Sequence, residues 1–163
     1  MIPIVSIVGK SNSGKTTLLE KLITELVRRG WRVATIKHNI HGFQIDHEGK
    51  DSYRHKKAGA HITVLSSPVQ LALVRDVDHD YSFAEIRDEF IRDADIILAE
   101  GFKVNDYPKI EVNRSELKRD LFNKKEDGLI AVASDTEIDA GVPCFDINDV
   151  KSIADFIERG YLL

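Results

Sequence analysis

Gly9-Lys10-Ser11-Asn12-Ser13-Gly14-Lys15-Thr16 is the stretch whose reading decides the fold. It fits G-x-x-x-x-G-K-[ST], a loop whose backbone N–H groups converge on phosphate oxygens. Ile4-Val5-Ser6-Ile7-Val8 precedes it as an apolar run of strand length. Leu18, Leu19, Leu22, Ile23, Leu26 and Val27 follow at three- and four-residue spacing, the stripe of a buried helix face. Strand, glycine loop and helix is the context the motif requires. Gly9 and Gly14 let the backbone curl, and the helix starting near Lys15 adds the positive end of its dipole. In that setting Lys15 reaches the β- and γ-phosphates and the Thr16 hydroxyl coordinates Mg²⁺.

A chain of 163 residues, 42% hydrophobic and 31% charged, suits a single P-loop nucleotide-binding domain spanning residues 1–163. Its net charge of −4 argues against a dedicated nucleic-acid binder. The single cysteine, Cys144, excludes an internal disulfide and a cysteine zinc cluster, and fits a reducing cytoplasm. No apolar run approaches the ~18 residues of a membrane span, and the first residues lack the regions of a signal peptide. The expected localisation is cytoplasmic.

Outward from the loop, the first helix is expected over about 15–29 with Gly30 as its C-cap, and Trp31–Ile36 as a second strand completing a βαβ unit. The segment from Lys37 to His61 then holds five of the six histidines, with Lys37, Lys50, Arg54, Lys56 and Lys57. Following the carboxyl end of a strand, it reads either as a wall for a phosphorylated ligand or as a solvated, partly helical loop. His38, His41 and His47 give a third alternative, Zn²⁺ or Ni²⁺ ligation, without a cysteine to support it. His61–Leu65 and Val69–Val74 read as strands turned at Ser66-Ser67-Pro68. A helix from a Ser82 cap to about Arg92 would bury Phe83, Ile86, Phe90 and Ile91.

Ile96-Ile97-Leu98-Ala99-Glu100 is the second stretch with chemistry in it: a strand buried on both faces and ending in an acid. Glu100 there holds Mg²⁺ and, with Asp46 as the other candidate, orients a hydrolytic water. Lys109–Val112 alternates and reads as a short edge strand, followed by a helical turn within 115–122. Leu129–Ala133 reads as a buried strand running into Asp135. A carboxylate beyond a late strand matches the N1–H and N2–H₂ donors of guanine, which adenine lacks, although the usual Asn-Lys-x-Asp signature is absent; a plain turn aspartate is the alternative. A final helix over about 148–159, capped by Asn148 and ended by Gly160, closes the chain. The fold class expected is α/β: a P-loop NTPase-like three-layer sandwich, its sheet mostly parallel with some antiparallel strands and helices on both faces.

Several blocks together resemble one family. Gly9 to Thr17 is followed by Leu18-Leu19, then Ile36-Lys37-His38-x-x-His41, Asp46-x-x-Gly49-Lys50-Asp51-Ser52 and Ala58-Gly59-Ala60. Glu100-Gly101-Phe102-Lys103 and Pro108-Lys109-Ile110-Glu111 complete the set. From Ile4 to about Asp135 the chain resembles the MobB family of molybdopterin-guanine dinucleotide biosynthesis proteins. The resemblance implies GTP binding with weak hydrolysis, a homodimer, and assistance to the molybdopterin guanylyltransferase, which itself joins GMP to molybdopterin. It adds Thr17, Lys37 and His38 to the nucleotide-binding residues and sets the histidine-rich segment against the molybdopterin phosphate or the partner. Lys10, after the first loop glycine, resembles the lysine that dimeric P-loop ATPases related to MinD extend toward a neighbour's nucleotide. A GTPase metallochaperone and a small-molecule P-loop kinase are the alternatives.

Overall fold

The computed structural model describes residues 1–39, 41–101, 105–118 and 120–163. Its elements are β1 (Ile4–Val8), α1 (Lys15–Arg28), β2 (Val33–Lys37), α2 (Asp51–Lys57), β3 (Ile62–Ser66) and β4 (Leu71–Arg75). They continue with α3 (Phe83–Phe90), β5 (Ile96–Glu100), β6 (Lys109–Asn113), β7 (Leu129–Ser134), β8 (Cys144–Asp146) and α4 (Val150–Tyr161). The chain divides into two compact units, residues 39–84 and the remainder.

The larger unit is built on a six-stranded sheet of order β2-β5-β1-β6-β7-β8, with every pairing parallel. β1 and β5 are buried at all five positions, as strands covered on both faces must be, which explains their unbroken apolar runs. Val5 and Ile7 face the same cluster as Ile96, Leu98, Ile110 and Val112, where Leu18, Leu22 and Leu26 of α1 meet Ile153, Ala154 and Ile157 of α4. Burying one such leucine stabilises by roughly 1.5–3 kcal/mol.

α1 and α4 are also joined by charge. Arg29, at the end of α1, donates to Glu25 Oε1 at 2.9 Å, Asp155 Oδ1 at 2.6 Å and Glu158 Oε2 at 2.7 Å. Trp31 Nε1 donates to the other Glu158 oxygen at 2.7 Å. Arg28 and Arg29, hydrogen-bonded to Glu25, hold its carboxyl down at about 2.

Several boundaries differ from the sequence reading. α1 ends one residue sooner, with Arg29 as cap; Gly30 N–H then donates to Val27 O and Trp31 N–H to Leu26 O, the paired bonds of a Schellman end. α4 is capped by Asp149, whose Oδ1 accepts from Ser152 N–H at 3.2 Å, and runs through Gly160. α3 stops at Phe90, which is exposed, while Arg87 is buried in its place. Among the described residues of 115–122, a 3₁₀ turn forms at Ser115–Leu117 in place of a longer helical turn. β8, too short to carry a periodicity, was missed.

The largest correction concerns β6, an interior strand between β1 and β7 rather than an edge. Its alternating polar residues, Lys109 and Glu111, are each only 1% exposed. Lys109 Nζ donates to the carbonyls of Asn105, Tyr107 and Asp127, the last at 2.7 Å. Glu111 accepts from Phe122 N–H at 2.7 Å and from Asn123 through N–H at 2.9 Å and Nδ2 at 2.8 Å. The polar face thus binds loops where an edge strand would bind water.

The smaller unit contains α2 packed on β3 and the antiparallel β3–β4 hairpin, a separate two-stranded sheet. Its turn is closed by Ser67 N–H donating to Gln70 O at 2.8 Å and by Gln70 N–H donating to Ser67 Oγ at 3.0 Å. Lys56 pairs with Asp76 at 2.5 Å, which lowers the Asp76 carboxyl.

Two measurements check this account. Glu25 titrates near 2 in the folded chain against ~4.3 when unfolded. Its stabilisation is therefore full above ~4.3 and lost as pH falls toward 2. Glu25→Gln should lower the urea midpoint at pH 7 and flatten its dependence on pH between 4.3 and 2; a variant matching the parent at pH 7 would contradict the bridge. Gly9→Ala should cost at least about 2 kcal/mol in the same assay, because the residue holds φ 141° and a Cβ would strike the Val112 carbonyl oxygen.

Candidate functional site: a phosphate cleft at the carboxyl edge of the sheet

β1 empties into the glycine loop at the carboxyl edge of the central strands, where α/β sheets take their ligands. Gly9 presses against β6, as above, and Asn12 turns the loop at φ 66°, a left-handed conformation that asparagine tolerates better than most residues. Ser13 N–H donates to Lys10 O at 3.2 Å, and α1 begins with Leu18 N–H donating to Gly14 O at 2.9 Å. The result is a helix N-terminus opening on a loop of converging amides, the arrangement that receives phosphate.

A cleft of about 350 Å³ lies there, lined by Gly9, Ser11, Asn12, Lys15, Thr16, Lys37, Glu100 and Gly101. Lys15 Nζ lies folded over its own loop, donating to Lys10 O at 2.7 Å. Across the cleft, Thr16 Oγ1 stands 3.4 Å from each Glu100 carboxylate oxygen. That is longer than a well-formed hydroxyl–carboxylate hydrogen bond. Glu100 is itself buried, and Lys37, on the exposed rim, meets its Oε1 at 2.6 Å. His38 N–H donates to the Glu100 carbonyl at 2.9 Å, which sets the end of β2 beside the end of β5. Gly101, at φ 112°, lies so close to the His38 carbonyl oxygen that a Cβ would collide with it.

The residue types fit a magnesium nucleotide. Oxygen donors from Thr16 and Glu100 are the hard ligands Mg²⁺ takes alongside phosphates and water. Lys15 and Lys37 supply the cations. Ser13 Oγ, buried and with no hydrogen-bond partner among the described residues, is an orphan at the loop's centre.

Of the residues singled out by sequence, the larger unit brings Gly9, Ser11, Asn12, Lys15, Thr16, Lys37 and Glu100 to one cleft. Ser13 and Gly14 belong to the same loop, Thr17 is exposed on the first turn of α1, and His38 follows β2. Lys10 lies with its ammonium 4.7 Å from the centre of the Phe122 ring. Asp46 belongs to the smaller unit, where Ser52 and the His47 N–H, 2.8 Å from Oδ1, lower its carboxyl. Phe102 and Lys103 lie outside the described residues. Among the described residues, no three His, Cys, Asp or Glu side chains gather closely enough to hold a metal ion, so the histidines form no ligand set.

Asp135 stands just past the end of β7, and its two oxygens accept from Ser115: Oδ1 from the N–H at 2.8 Å and Oδ2 from the hydroxyl at 3.1 Å. These bonds lower its carboxyl, so it stays ionised and acceptor-only. Its neighbour across this link, Arg114, escaped the sequence reading. The signal was available: Arg114 directly follows a strand that sits next to the loop-bearing strand, and such positions face the ligand.

No helix of the described residues is long and apolar enough to cross a membrane. The family described as molybdopterin guanine dinucleotide synthesis protein B, MobB, matches residues 4–135. A molybdopterin-guanine dinucleotide biosynthesis adapter protein of Haemophilus influenzae is 41% identical, covering 97% of this chain and 89% of its own length. Its counterpart in Escherichia coli is 40% identical, over 96% and 92%. A crystal structure of molybdopterin-guanine biosynthesis protein B superposes with a TM-score of 0.78 at 32% identity, covering 97% of this chain and 98% of its own. A glycine-loop cleft on a parallel sheet of this topology, with relatives of this identity along nearly the whole chain, places the protein in the MobB family.

Proposed function

We propose that this chain is a cytoplasmic, GTP-binding adapter in molybdenum cofactor biosynthesis, assisting a partner guanylyltransferase that attaches GMP to molybdopterin. The relatives' name supplies the pathway and the adapter role. The observation that carries nucleotide binding is the cleft in which the Thr16 hydroxyl faces the buried Glu100 carboxylate beside Lys15. In this reading the amides of residues 9–17 and the Lys15 ammonium bind the phosphates. Thr16 and Glu100 hold Mg²⁺, which offsets charge on the phosphate oxygens. Lys37 keeps Glu100 paired until the metal takes its place, and His38 lines the rim. Glu100 orients the hydrolytic water, Asp46 being the alternative.

Asp135 reads guanine. An ionised carboxylate has about four lone-pair sites, and Ser115 uses two, so the remaining pair meets the N1–H and N2–H₂ donors. The described residues near the cleft offer lysines but no arginine aimed at the Lys37–Glu100 side, so hydrolysis is slow and the chemistry belongs to the partner. The homodimer has a candidate surface in the β3–β4 hairpin. Val64 and Leu73 are directly paired, with Leu71 beside them, and all three are exposed at 52%, 44% and 67%. A second copy would cover that apolar face. The exposed α2 cations, Arg54 and Lys57, suit the molybdopterin phosphate or an acidic partner.

Calorimetric titration with GTP and ATP, each with Mg²⁺, tests the nucleotide reading. GTP should bind more tightly than ATP, and Lys15→Ala should weaken GTP by roughly ten- to a hundredfold, the scale of a charged hydrogen bond. Asp135→Asn should move the preference from GTP toward XTP, because its amide donates to the xanthine C2 carbonyl. Equal affinities for GTP and ATP in the unsubstituted chain would remove Asp135 as a base reader. Sedimentation of Leu71→Glu should give a monomer at concentrations where the parent is dimeric; a parent that is itself monomeric would exclude the hairpin interface.

A further inference from the structure

We propose that the Arg114 guanidinium is the platform on which the purine ring of the bound nucleotide stacks. This rests on the nucleotide reading above and assigns a residue to its nucleoside side.

Three observations converge on Arg114. A Cβ placed on Gly14 would lie 3.6 Å from Arg114 Nη2 and 3.7 Å from its Nε, so the guanidinium packs against the loop at the start of α1. The same point lies 3.7 Å from Ile147 Cδ1, so a flat cation and an apolar side chain flank one spot. Arg114 is half-buried, and among the described residues no side-chain hydrogen bond is formed by its guanidinium. Its charge helps to lower the Asp135 carboxyl, but no side-chain hydrogen bond covers the flat guanidinium, which lies against Gly14 at the start of α1 and is open to a stacking partner.

Position decides which part of the ligand this is. The phosphate cleft opens toward β5 and β2, where Lys37 and Glu100 line it. Arg114 follows β6 on the other side of β1, with Asp135 at the end of β7 and Ile147 just after β8. A phosphate oxygen gains nothing from Ile147, whereas the face of a purine is matched by both an aliphatic surface and a planar, weakly hydrated guanidinium. The Asp135–Ser115 bonds hold the backbone directly after Arg114. Asp135 then offers acceptors to the base edge while Arg114 supplies its face.

The test compares GTP with inorganic tripolyphosphate, each with Mg²⁺, on the unsubstituted chain, Arg114→Ala and Arg114→Lys. Stacking predicts that Arg114→Ala loses about tenfold in GTP affinity and less than about twofold for tripolyphosphate. Arg114→Lys, which keeps the charge without the flat face, should recover only part of the loss. Retained tripolyphosphate binding also shows that the variants are folded. Equal losses for both ligands would make Arg114 a phosphate ligand and overturn the proposal. Unchanged GTP affinity in either variant would overturn it as well. Absence of GTP binding by the unsubstituted chain, with tripolyphosphate still bound, would instead remove the nucleotide reading and this inference with it.

Discussion

The contact between Gly9 and β6 is the constraint on which the rest of the site depends. β1 lies between β5 and β6, and the loop leaving it crosses so close to the Val112 carbonyl that no side chain fits at residue 9. That closeness places the loop's amides over the carboxyl edge of the sheet rather than out in solvent. Glu100 from β5 and Lys37 from β2 then line the same cleft as the loop, and Arg114, after β6, lies against Gly14.

Electrostatically the site is an excess of positive charge around one buried anion. Lys15 and Lys37 line the cleft, Arg114 lies against Gly14, and Glu100 is the buried carboxylate beside the two lysines. The Lys37–Glu100 pair is asymmetric, with the lysine side chain 62% exposed and the glutamate 6%. Breaking it leaves a solvated ammonium on one side and a buried carboxylate on the other, so a cation that replaces Lys37 meets a ready partner.

The larger unit is held by two layers of a different character. On the α1–α4 face the sheet buries aliphatic side chains, and Arg29 with three carboxylates ties the two helices at their ends. On the opposite face Lys109 and Glu111 are buried, and each is satisfied by loop backbone. The second arrangement anchors the segments at 105–107 and 122–127 through hydrogen bonds, because a buried ammonium and a buried carboxylate each demand several fixed partners.

The sequence by itself determined the strand–loop–helix at residues 4–28, the buried strand ending in Glu100 and the family, since local backbone requirements and unbroken apolar runs are written in adjacent residues. Thr16, Lys15 and Glu100 were legible for the same reason. Only the tertiary structure decided that β6 is interior, since alternating polar residues look alike whether they face water or hold loops. The same holds for β8, recognisable only by its pairing with β7. Arg114 carries no local mark; its meaning comes from a guanidinium lying against Gly14, a hundred residues away along the chain. Asp135 was legible as a position but not as a partner of Ser115, because hydrogen bonds between separate strand ends depend on the sheet order that brings them side by side.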